Sequence, residues 1–169
     1  MSSQLEVWLR GPIPGIPPQL QPVAHALLQA REELTAALAG FPPALLAARP
    51  AGVASVGFHL QHMTGVLNRL LTYARQETLS ATQFAYFERE ETPPTGPPAV
   101  AELLAGFAQE VDAALAQLQA TDVTTLGEVR GVGRAQVPST HLGLLFHAAE
   151  HTMRHLGQLL VTAKVARTL

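Results

Sequence analysis

An all-α fold, a four-helix bundle with a short hairpin or loop before its last helix, is what this sequence predicts, and three observations predict it. Apolar residues recur at steps of three and four along four long segments. Proline-rich stretches separate those segments. Residues suited to helix ends, Gly40, Ser55 and Ser139 or Thr140 among them, stand at the boundaries. At 169 residues the chain reads as a single domain, 1–169, with enough length to bury a core.

The elements follow in order. "GPIPGIPPQLQP" cannot be regular structure, because each proline removes a donor and restricts its predecessor, so residues 1–21 read as an extended proline-rich arm. A first helix starts at about Pro22, carries Val23, Leu27, Ala30, Leu34 and Leu38 on one face, and stops at Gly40. Ser55 can cap a second, whose stripe is Val56, Leu60, Met63, Leu67, Leu70 and Ala74. "LSATQFAYFERE" suggests a short helix, and "ETPPTGPPAV" then breaks the chain before a longer one bearing Val100, Leu103, Leu104, Phe107, Val111, Leu115 and Leu118. "TTLGEVRGVGRAQVP" has the composition of a loop or small hairpin, after which Ser139 or Thr140 caps a last helix reaching about Lys164. The lone G-x-G of "GVGRAQ" follows no long strand and opens no glycine-rich helix, so it reads as a turn and not as a nucleotide site.

Composition excludes several classes. There is no cysteine, which leaves imidazole and carboxylate as the strong metal ligands and requires any thiol chemistry to use a small-molecule thiol. A formal charge of −2, the lack of a basic run and 5% aromatic residues argue against a nucleic-acid partner. No apolar run approaches the ~18 residues needed to cross a bilayer, and "MSSQLEVWLRGP" lacks the order of a signal peptide. The expectation is a soluble, cytoplasmic protein with neither a membrane nor a nucleic-acid partner.

Histidines carry the strongest chemical signal. "HAAEHTMRHLGQLL" places His147, His151 and His155 four residues apart, out of seven histidines in the chain. At ~100° per residue they advance by ~40° each and form a slanted row on one helix face, where two neighbours can share a metal. A third ligand has to come from a facing helix, and "FHLQHM" on the second helix offers His59 and His62. Those two lie ~60° apart, so at most one is expected to point at a given ion, and helical angle alone does not choose between them. Two other metal signatures compete. "HAAEH" matches the H-x-x-E-H of inverted zinc peptidases, with Glu150 as general base, but no Asp or Glu follows Glu150 to serve as a downstream ligand. A di-iron carboxylate site needs E-x-x-H pairs, and the sequence contains none.

"FHLQHM" followed near the C-terminus by "HTMRHLGQ", His151 to Gln158, resembles the DinB-like superfamily of damage-inducible helical bundles, marked by a histidine on the second helix and H-x-x-x-H-x-G-Q on the last. The resemblance implies an open divalent-metal site held by His62, His151 and His155, with His59 and His147 outside the triad and His59 pointing elsewhere. Zinc and nickel are the leading ions, since imidazole suits both. Relatives of known activity include transferases using bacillithiol or mycothiol, so the resemblance implies a metal-dependent transferase that takes a low-molecular-weight thiol as co-substrate and a small, electrophilic or toxic substrate. The alternatives are a non-catalytic stress-response dimer with a structural metal, or a metal-dependent hydrolase.

Several residues near these motifs have ordinary expected roles. Gly157 suits close packing or the approach of a neighbouring helix, and Gln158 lies ~60° from His155, within reach of an outer partner of the site. Glu150 and Arg154 are placed to pair on the helix surface. Trp8 is expected to pack across a bundle end or a subunit interface. With 47% hydrophobic and 14% charged residues, the chain is expected to form a homodimer.

Overall fold

The computed structural model describes residues 5–169, so the first residues of the expected arm lie outside it. The described residues are mostly helical, with five α-helices and one two-stranded sheet: α1 Gln21–Ala37, α2 Val56–Ala74, α3 Ala81–Glu88, α4 Ala99–Ala120, β1 Val129–Val132, β2 Val137–Thr140 and α5 His141–Ala166. No described helix is long and apolar enough to cross a membrane.

Local chemistry sets the boundaries. Pro22 stands in the first turn of α1, where its missing N–H costs nothing. The Ser55 hydroxyl accepts from the Phe58 N–H at the start of α2, and the Thr140 hydroxyl accepts from the Gly143 N–H at the start of α5. Ser80 and Gln83 form a reciprocal capping box that holds the short α3. The arm is more ordered than an extended segment, because Val7–Arg10 and Pro18–Leu20 are 3-10 turns. The Gln21 side chain folds back over it, donating to the Ile13 and Ile16 carbonyls and accepting from the Ile13 N–H.

The four long helices contact one another in a closed order, with α5 against α1 and α2, and α4 against the same two. The stripes read from the sequence supply the interior: Leu27 and Leu34, Leu60 and Leu67, Phe107 and Val111, and Leu145 and Leu156 are all buried. The hairpin β1–β2 pairs Val129 with Thr140 and Val132 with Val137. It feeds directly into α5 and presents the buried Arg130, whose Nε donates to the Ala74 carbonyl at the C-terminal end of α2.

Glycines mark where the packing is tightest and where it is slack. A Cβ on Gly57, at the start of α2, would stand 2.4 Å from Pro93 Cβ and 2.9 Å from the Leu46 carbonyl oxygen, whereas one on Gly106, inside α4, would meet nothing within 4 Å. Gly57→Ala should therefore lower the unfolding free energy by ~1–3 kcal/mol through overpacking, while Gly106→Ala should raise it by ~0.5–1 kcal/mol through helix propensity; urea denaturation of the two variants checks both signs.

Candidate metal centre

The centre is built where α2 meets α5. Nε2 of His62 lies 3.0 Å from Nε2 of His151, and Nδ1 of His59 lies 3.0 Å from Nδ1 of His155. One step backward along α2 thus matches one step forward along α5, as expected for helices running in opposite directions with helical repeat spacing. The three rings form a compact triangle, with the His62 centroid 5.2 Å from His151 and 4.5 Å from His155, and His151 and His155 4.6 Å apart. His62, His151 and His155 each offer a nitrogen, and these ligand atoms lie within 4.8 Å of one another.

A residue far off in sequence fixes His62. Glu90, beyond the end of α3, is buried, and its Oε2 is 2.8 Å from His62 Nδ1 while its Oε1 accepts from Arg69 at 2.5 Å. Gln61 donates to the Arg89 and Glu90 carbonyls, which anchors that chain segment to α2. Gly65 provides the room, because a Cβ there would stand 2.3 Å from Glu90 Oε1 and 2.7 Å from Arg69 Nη1. The Phe58 ring stacks on His62 at an interplanar angle of 13°. With Nδ1–H donated to the carboxylate, His62 turns the lone pair of Nε2 toward His151, the orientation that a metal ligand needs.

These positions fit an ion. Two donors each ~2.0–2.1 Å from one divalent metal, at ordinary coordination angles, are ~2.9–3.4 Å apart, so the 3.0 Å between the His62 and His151 nitrogens suits two ligands of one ion. Nδ1 of His151, the ring nitrogen turned away from His62, is buried without a hydrogen-bond partner. Burial first, and then the neighbouring His62, push His59 down to about 4; burial, followed by His62, His151 and His59, does the same to His155. Burial and His62 also lower His151. His59, His151 and His155 are therefore neutral at physiological pH, the state in which imidazole coordinates.

Other predicted residues fall differently. His59 does not point elsewhere: it is 3% exposed and lies against His155, because the opposed helices give each α2 histidine its own α5 partner. His147 is exposed, with Nδ1 3.2 Å from Glu150 Oε2, and His147, Glu150 and His151 form a second cluster whose ligand atoms lie within 4.8 Å of one another. Glu150 pairs with Arg154 on the helix surface. Gly157 is not closely packed, since a Cβ there would meet nothing within 4 Å, and Gln158 is exposed with no side-chain hydrogen bond among the described residues. Both line a cleft of about 780 Å³ that reaches His59, with Val53, Met153 and Val161 on its walls. Trp8 is 60% exposed, its Nε1–H donating to Glu6, so it packs across no bundle end within the chain.

Glu90, Arg69 and Gly65 escaped the sequence reading. Their one trace is an acidic residue in "FERE" at the end of a short helical pattern, which nothing in periodicity distinguishes from a surface glutamate.

The sequence model of the DinB superfamily matches residues 26–159, a span that includes all the histidines of the centre, and the chain belongs to that superfamily. No curated protein matches the chain significantly.

Lowered histidine values carry a consequence for the metal-free chain. Between the ordinary imidazole value of 6.5 and about 4, the unfolded chain binds protons that the native His59 and His155 refuse. The chelated protein should be most stable above pH 6.5 and lose stability steadily as pH falls to about 4, as read from urea midpoints across that range.

Proposed function

We propose that the protein is a divalent-metal-dependent transferase that joins a low-molecular-weight thiol to a small electrophilic substrate, in a cytoplasmic stress response. The observation that supports it best is the convergence of His62, His151 and His155 from two helices, backed by the buried Glu90 carboxylate on His62. We read the four long helices as the bundle of the superfamily and assign the ion, zinc or nickel, to those three imidazoles. A divalent ion held there supplies Lewis acidity that brings a thiol to its thiolate near neutral pH.

The chain's own residues do the rest. Glu90 holds the His62 proton on Nδ1 and keeps Nε2 free as a donor of its lone pair. His59 plays the corresponding part for His155 when the proton between the two facing Nδ1 atoms sits on His155 and His59 accepts it, which leaves His155 Nε2 free. Neutral ligands leave the full cationic charge of the ion unbalanced within the triad, which favours an anionic sulfur over a neutral group. With no cysteine in the chain, that sulfur belongs to a small molecule. The cleft beside His59, walled by Val53, Met153 and Val161, offers an apolar seat for the second reactant.

Metal analysis of the purified protein tests the assignment. His151→Ala and His155→Ala should each lose most of the bound metal, because two imidazoles hold a divalent ion poorly, whereas His147→Ala should retain it. Glu90→Gln should fold and weaken metal affinity by about 10–100-fold, measured by competition with a chromophoric chelator. Thiol consumption with several electrophiles, before and after chelation, then tests the reaction. A chelated chain that unfolds outright would favour the structural-metal alternative, and equal metal loss from His147→Ala and His155→Ala would move the site toward "HAAEH".

A further inference from the structure

Away from the metal centre, the hairpin, the C-terminal ends of α2 and α4 and the start of α5 enclose a cavity of about 320 Å³, a size ordinary for a small-molecule site. His141 stands ten residues before His151 on α5, and Ala74 twelve residues after His62 on α2, ~15 and ~18 Å along the helices. Strand pairing builds the cavity. Arg130 is set opposite Ser139, and His141, two residues further on, falls on the same side of the ribbon's end.

Arg130 and His141 are 5% and 7% exposed, yet each keeps one nitrogen without a partner among the described residues. Arg130 donates from Nε to the Ala74 carbonyl and from Nη1 to Glu128 and the Val129 carbonyl, which leaves Nη2. His141 engages Thr125 through Nδ1, which leaves Nε2. Neither spare nitrogen is sealed off by protein, and the two residues that carry them line the one cavity. The proton on His141 can be placed. The Thr125 hydroxyl donates its own hydrogen to the Asp122 carbonyl, so its oxygen accepts from His141 Nδ1–H. Burial, and after it the charge of Arg130, lower the His141 pKa, so the ring is neutral and Nε2 bears a lone pair. A buried acceptor thus stands beside a buried cationic donor, and each calls for a partner.

We propose that this cavity binds a small carboxylate carrying a hydroxyl on the neighbouring carbon, with the carboxylate on Arg130 Nη2 and the hydroxyl donating to His141 Nε2. Among the charged residues lining the cavity, Arg75 and Arg130 outnumber Asp122, and Glu77 and Glu128, which pair with the two arginines, are each 54% exposed and well screened by water. A guanidinium suits the planar carboxylate. An ammonium in place of the hydroxyl would stand beside the same Arg130 charge that disfavours a proton on His141, so a neutral donor is the one that fits. This site is separate from the three-histidine centre and does not rest on the transferase reading.

Isothermal titration of the full chain with glycolate and with acetate, which lacks the hydroxyl, tests it. Glycolate should bind with a dissociation constant on the order of 1 mM, as befits so small a ligand, and acetate about tenfold more weakly. His141→Phe should bring glycolate down to the level of acetate and leave acetate unchanged, whereas Arg130→Gln should weaken both by about tenfold or more. Should His141→Phe fail to fold by circular dichroism, Thr125→Val, which removes the hydroxyl that holds the proton on Nδ1, should narrow the preference for glycolate. His151→Ala and chelation should leave both constants unchanged. Glycolate and acetate bound alike, no heat from glycolate at about 20 mM, a preference indifferent to His141→Phe and Thr125→Val, or binding lost with the metal would each overturn the proposal.

Discussion

Opposed packing of α2 against α5 is the contact on which the rest of the structure depends. Because the two helices run in opposite directions, a step of three residues back along α2 matches a step of four forward along α5, and His62 and His59 are delivered to His151 and His155 respectively. The same contact is sealed by the leucines of both stripes, Leu60 and Leu67 on one side, Leu145 and Leu156 on the other. Burial of that apolar surface, at about 25 cal/mol per Å², is what draws polar imidazoles into a place where each needs a partner.

That need explains the surroundings of the centre. A buried carboxylate is costly unless it is paired and hydrogen-bonded, and Glu90 meets both His62 and Arg69 in the space left by Gly65. His59 and His155 answer burial by staying neutral, which is also the form that coordinates metal. Fold and chemistry thus ask for the same protonation state. One buried atom, Nδ1 of His151, is left without a hydrogen-bond partner.

Around this rigid interior the outer parts are arranged with less constraint. The hairpin leads straight into α5, and Arg130 ties it to the end of α2, so the N-terminal register of α5 is held from outside the helix contact. On the far side of α5, Phe146 and Val161 stand exposed with no cover from the same chain.

The sequence by itself determined the helices and their inward faces. Periodicity placed the stripes of α1, α2 and α4, Ser55 and Thr140 announced caps that the backbone uses, and the four-residue spacing put His147, His151 and His155 on one helix. It also separated Glu150 and Arg154 as a surface pair. These are local properties, settled within a few turns of chain, and local patterns record them. Tertiary structure alone decided that His59 lies against His155, that Glu90 and Arg69 close on His62, and that Gly157 and Trp8 face outward. Each of those depends on the relative direction and depth of two elements distant in sequence, and the spacing of residues within one helix carries no record of how another will pass it.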